Sequence, residues 1–262
     1  MESWRRRVPP DFEFSVRCNR LVSHAHQLQS SQEACNVFDQ MIAICRTLRA
    51  EILHVQAPVT FQPNNENADV LRSFLSSVNL KGVRVAFELR ETSQNVSLSF
   101  VEVMRDYNLV HCVDLSRDEA PAYESDLLYS RLFGKGSHNI YQPTDQELRT
   151  IDDRASSPAY RKAAVGFHFI RMYKDAVRLK VYRQTGRFPM VTRSTGLESL
   201  EESLREDARF PSSRMELVQH QGWKLIDLSR DERVRASEML EKLPERSYES
   251  VEDVVHALGG LV

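Results

Sequence analysis

The sequence carries almost no surplus charge. Its 35 lysines and arginines face 37 aspartates and glutamates, a formal net charge of -2, so no global field draws the chain to nucleic acid or to an acidic membrane, and any polyanion site must be local. It has no run of the roughly 18 apolar residues that a membrane helix needs. Its first residues, Met1-Glu2-Ser3-Trp4-Arg5-Arg6-Arg7, lack the apolar centre of a signal peptide. The expectation is a soluble, cytoplasmic protein with no membrane partner. Cysteine is scarce: Cys18, Cys35, Cys45 and Cys112 are far apart and form no C-x-x-C pair, which excludes a secreted disulfide framework and leaves reduced thiols that pack as small apolar groups. There is no internal repeat and no low-complexity stretch.

A chain of 262 residues is long enough for one substantial core and a second small domain. Short runs rich in Val, Ile, Leu and Phe recur through its first two thirds: 12–18, 52–57, 83–89, 109–114, 127–133 and 164–169. Between them the apolar spacing is helical over 32–49, 67–78, 97–107, 145–155 and 172–182. Strand and helix alternating at this interval predict β-α units, a parallel sheet and an incomplete barrel over residues 1–190. Residues 191–208 are highly charged and read as a linker or surface helix. From 209 to 262 the expectation is a small all-helical domain, with Ser229-Arg230-Asp231-Glu232 as a capping box and Glu249 to Asp253 opening the last helix.

Side chains on a strand alternate between faces, and in a parallel barrel those pointing inward near the C-terminal strand ends form the usual ligand site. Sorting by parity places Arg17 with Glu13 and Ser15, His54 with Gln56, Glu88 with Arg84 and Arg90, Cys112 with Asp114, and Tyr129 with Arg131 and Phe133. Five strands thus bring polar groups to one end. Burying such charges costs several kcal/mol per ion unless each is paired. The simplest pairing sets Glu88 and Asp114 against Arg17, Arg90 and Arg131, and leaves a positive excess suited to phosphate or carboxylate. The bland alternative is that these ion pairs only stitch the interior together.

Other chemistry has weaker support. His24, His26, His54, His111 and His168 lie in or just after strands, near two carboxylates, so a divalent metal is conceivable, but their spacing matches no metal motif. Parity turns His111 away from Asp114. The segment Phe133-Gly134-Lys135-Gly136-Ser137 follows a strand but lacks P-loop spacing. No nucleophile sits in a recognisable elbow.

Trp4, Val8 to Arg17, Ser23-His24, Val55 to Pro58, Ala86 to Arg90, Asp114, Tyr129 to Gly134 and Met172 to Ala176 together resemble the successive strand motifs of the YecE-like family, domain of unknown function 72. The resemblance implies a TIM-barrel-like fold and suggests Glu88, Arg90, Asp114, Tyr129 and Arg131 as pocket residues. The family pattern begins about two strands before Trp4, so the barrel is expected to lack its first strands and to offer open edges to a protein partner or a second copy. Phe133 stands where the family usually has histidine, and Phe167-His168-Phe169 where it tends to have Phe-Asn-Asn. The tail from Phe210 to Gly259 resembles a second family, domain of unknown function 2795, which implies a small helical module. The expected function is binding of a phosphorylated ligand or a nucleic-acid backbone, with hydrolysis as a further step: Arg17, Gln56, Arg90, Tyr129, Arg131 and His168 would bind, and Glu88 or Asp114 would act as general base or metal ligand. The competing expectation is a non-catalytic interaction or scaffold protein with a degenerate site.

Overall fold

The computed structural model describes residues 1–89, 96–117 and 119–260. In chain order its elements are α1 (Glu2–Arg6), β1 (Ser15–Arg17), α2 (Gln32–Leu48), β2 (Ile52–Gln56), α3 (Asn65–Ser77), β3 (Arg84–Glu88), α4 (Leu98–Asp106), β4 (Val110–Cys112), β5 (Leu127–Leu132), α5 (Asp145–Ala155), β6 (Lys162–Phe167) and α6 (Met172–Thr185). They continue with α7 (Leu197–Arg205), β7 (Ser212–Ser213), α8 (Arg214–Gln221), β8 (Leu225–Asp227), β9 (Arg233–Arg235), α9 (Ala236–Leu240), β10 (Ser247–Tyr248) and α10 (Val251–Gly259). The chain divides into two compact units, Met1–Arg131 with Ala155–Gly166 and Leu132–Arg154 with Phe167–Val262.

In the first unit, β1 to β4 form a parallel sheet in sequence order, and the bridge between Val113 and Ser130 continues it in parallel to β5. Parallel neighbours need a crossover connection, and from β1 to β4 a helix supplies each one. Those helices start where local chemistry permits: Ser31, Asn64 and Ser97 accept hydrogen bonds from the Ala34, Asn67 and Phe100 amides and so cap α2, α3 and α4. In α2 the buried residues Ala34, Phe38, Ile42, Cys45 and Leu48 recur every three or four positions, which makes one apolar stripe. That stripe packs with Val16, Leu53, Val55, Val85 and Phe87 from one face of the sheet.

The opposite face has its own layers. Near the strand starts it is apolar, with Ile52, Ala86, Val110 and Leu127 packed together; near the strand ends it turns polar. β2 is buried along its whole length, as expected for a central parallel strand covered on both sides. Lys162, the first residue of β6, reaches Glu13 at 2.7 Å and Glu51 at 2.9 Å, just before β1 and β2. The sheet therefore curls until its last strand begins beside its first two, but no strand pairing closes it into a barrel among the described residues.

The second unit departs from the all-helical expectation. Its tail has three helices, α8, α9 and α10, together with two antiparallel ribbons, β7 with β10 and β8 with β9. Ser229 to Glu232 does not cap a helix: the Leu228 amide donates to the Glu232 carbonyl at 2.9 Å and closes the β8–β9 hairpin. The alternation in Arg233-Val234-Arg235 is strand-like. The actual capping box is Ser213 with Glu216, opening α8, while Ser250 caps α10 as expected by accepting from the Asp253 amide. Within the charged segment 191–208, α7 buries Leu200 and Leu204, one turn apart, in the core of this unit with Ile226, Leu240, Tyr248 and Val254.

Candidate polar site at the strand ends of the first unit

Because β2, β3 and β4 pair in register, Glu88 lies beside both Gln56 and Cys112, and the next inward position down β2 is His54. All four are buried. Their contacts converge on the Glu88 carboxylate: Gln56 Nε2 donates to Oε1 at 2.5 Å, while His54 Nε2 at 2.9 Å, an Arg131 guanidinium nitrogen and, more weakly, the Cys112 thiol at 3.9 Å all turn to Oε2. Burial works to raise the Glu88 pKa, but the His54 hydrogen bond and the Arg131 charge outweigh it and hold the carboxyl down at about 2. Burial lowers the pKa of His54, so the ring is neutral and the nitrogen facing the carboxylate carries its proton.

Around this hub the inner face continues. Tyr129 stacks against His54 with 5.8 Å between ring centroids, and its hydroxyl meets the Ser15 hydroxyl at 3.0 Å, spanning from β5 to β1. Arg17, exposed at the end of β1, hydrogen-bonds the Gln56 side-chain oxygen. The sequence expectation had set Arg17 against a carboxylate; the neutral amide takes that place, because the in-register neighbour of Glu88 on β2 is Gln56. Asp114 stands two residues beyond β4, where its Oδ1 accepts from the Ser116 amide at 2.9 Å and from the Ser116 hydroxyl, and Oδ2 lies 3.5 Å from Arg117 Nε. The Asp114 amide donates to Glu119 Oε2 at 2.7 Å.

Other candidates fall elsewhere. Arg90 lies outside the described residues. His168 belongs to the second unit, where its ring stacks on Phe133 at 5.1 Å. His111 points away from the hub as parity required: it is buried, its Nδ1 accepts from the Ala122 amide, and burial pushes its pKa down to about 4. The 133–137 loop is built around its own packing. A side chain at Gly134, whose φ is +78°, would collide with the Tyr141 ring at 2.7 Å, and one at Gly136 would meet the Ile140 carbonyl.

Cys112 is buried in the apolar cluster of the inner face, as expected, and its thiol also faces Glu88. Glu119 is a contact of Asp114 that strand parity does not reach, whereas Asp114 followed two residues later by Ser116 signals a side-chain-capped turn.

A mixed α/β chain with parallel strands, helices on one face and polar side chains gathered at the strand ends of the other defines a class of protein broader than any one activity. Residues 1–183 match the family described as protein of unknown function DUF72, and the chain belongs to that family. Among solved structures it resembles a DUF72 family protein from Thermotoga maritima MSB8, with 20% identity and a TM-score of 0.55 over 68% of this chain and 76% of that one. That likeness concerns the fold. No curated protein matches the chain.

Proposed function

We propose that this chain uses its first unit as an open, TIM-barrel-like scaffold that binds a phosphorylated ligand or the phosphate backbone of a nucleic acid at the ends of β1 to β5. The observation that carries the reading is the state of Arg17: its guanidinium is exposed and its hydrogen-bond partner is a neutral amide, so the contact orients the side chain without cancelling its charge. Arginine in that state suits paired hydrogen bonds to phosphate oxygens. Arg131 stands behind it on Glu88, and Tyr129 and Ser15 complete the wall with hydroxyls.

Binding is favoured over hydrolysis. A carboxyl held at about 2 by the groups around it is a poor proton acceptor near neutrality, so Glu88 serves as an orienting charge, and the Asp114 carboxylate is engaged by its own turn. The same engagement supports a second reading, a non-catalytic interaction protein whose partner pairs with the edge of β1 that is left without a strand neighbour among the described residues. Salt separates the two. Binding of labelled single- and double-stranded oligonucleotides or of pyrophosphate should weaken steeply as salt rises, whereas a strand-pairing partner should stay bound. Undetectable binding of all three probes at low salt would remove the phosphate reading.

A further inference from the structure

We propose that His54, Glu88 and Cys112 form a site for a thiophilic divalent cation of the zinc type, with its fourth position open. Three different donor types come from three adjacent strands, and their ligand atoms all lie within 4.8 Å of one another. Nitrogen and oxygen ligands stand about 2.0–2.2 Å from zinc and sulfur about 2.3 Å, which in a tetrahedron sets neighbouring donor atoms roughly 3.3–3.6 Å apart. The separations from Glu88 Oε2, 2.9 Å to His54 Nε2 and 3.9 Å to Cys112 Sγ, bracket that range. His54 Nε2 and Cys112 Sγ lie within 4.8 Å of each other, so occupation draws these two side chains together by up to about 1.3 Å.

A carboxylate and a thiolate, formed as the Cys112 thiol releases its proton to solvent, neutralise a divalent ion; His54 offers Nε2 once its proton moves to Nδ1, and imidazole with thiolate selects a borderline or soft metal over magnesium or calcium. Gln56 donates to Oε1 and turns the other oxygen toward His54 and Cys112, the outer-shell orientation that bound metals commonly show. Arg131 is the competitor, because it shares Oε2 with the incoming ion. Metal binding must displace that contact.

The test is cobalt(II) titration of the full chain after treatment with a chelator. The expected result is one cobalt per chain, with the near-ultraviolet sulfur-to-cobalt charge-transfer band and the strong visible bands of a tetrahedral ion. Cys112→Ser should abolish the charge-transfer band, His54→Gln should weaken cobalt binding at least about tenfold, and Cys35→Ser should leave both unchanged. Arg131→Met keeps all three ligands and removes the competitor, so it should tighten binding at least about tenfold. The proposal is overturned if the folded protein shows no charge-transfer band in excess cobalt, if the band survives Cys112→Ser, or if Arg131→Met does not tighten binding.

Discussion

Removing one member of the Glu88–Arg131 pair should be among the most damaging single changes available in the first unit. Both side chains are 8% exposed, which places the pair in the buried regime. There, loss of one partner typically costs about 3–5 kcal/mol, against at most about 1 kcal/mol for a pair at the surface. Arg131→Met leaves Glu88 its bonds from His54 and Gln56, so its cost should lie near the lower end, about 3 kcal/mol. Glu88→Gln leaves the Arg131 charge in the interior without this carboxylate and should cost about 4 kcal/mol. The double variant removes both charges together and should cost less than the sum by about 2 kcal/mol. Urea unfolding at neutral pH, with hydrogen exchange of the β2 and β3 peptides to keep the first unit separate from the second, measures all three. A cost below about 1 kcal/mol for Arg131→Met, or strictly additive effects, would refute the account of the hub.

Three further outcomes follow from other parts of the structure. His111 has a folded pKa of about 4 against an ordinary value of 6.5, so the unfolded chain binds its proton first; stability is fully present above pH 6.5 and declines as pH falls toward 4, by up to about 3 kcal/mol. Midpoints measured between pH 7 and 4 should show this loss, and His111→Gln should flatten it. Gly134→Ala combines a left-handed backbone angle with a collision against Tyr141, so it should destabilise the second unit by at least about 1–2 kcal/mol in thermal unfolding. Lys162→Met breaks contacts to Glu13 and Glu51, whose side chains are 69% and 71% exposed; its effect should stay within about 1 kcal/mol and vanish in high salt.

The parity of short apolar runs placed Gln56, Glu88, Tyr129 and Arg131 on one inner face, and all four sit there. Alternation is a local property of a strand, so it is legible wherever the strand itself is. Partner choice is not local. Arg17 binds Gln56 rather than a carboxylate because of the register between β2 and β3, and Asp114 is held by Ser116, a turn that competes with any contact across the sheet. His54 became central because β2 and β3 align its ring with the Glu88 carboxylate, something that spacing along one strand does not reveal. In the tail, the segment from Glu249 to Asp253 marked the start of α10, but Ser-x-x-Glu served equally well to close a hairpin at Ser229 and to cap a helix at Ser213. At Ser213 the serine and glutamate side chains accept from each other's backbone amides, whereas at Ser229 the Leu228 and Ser229 amides donate to the Glu232 carbonyl, so the surrounding packing and not the pattern distinguishes the two settings.

The most direct test of the proposed function is calorimetric titration of pyrophosphate into the full chain and two variants, Arg17→Ala at the strand ends and Arg46→Ala on the exposed side of α2. A charged hydrogen bond contributes about 1.5–3 kcal/mol, so binding should be saturable, weaken at least about tenfold in Arg17→Ala and remain unchanged in Arg46→Ala. Equal affinity in all three proteins, or no measurable heat at low salt, would contradict a phosphate site built on Arg17.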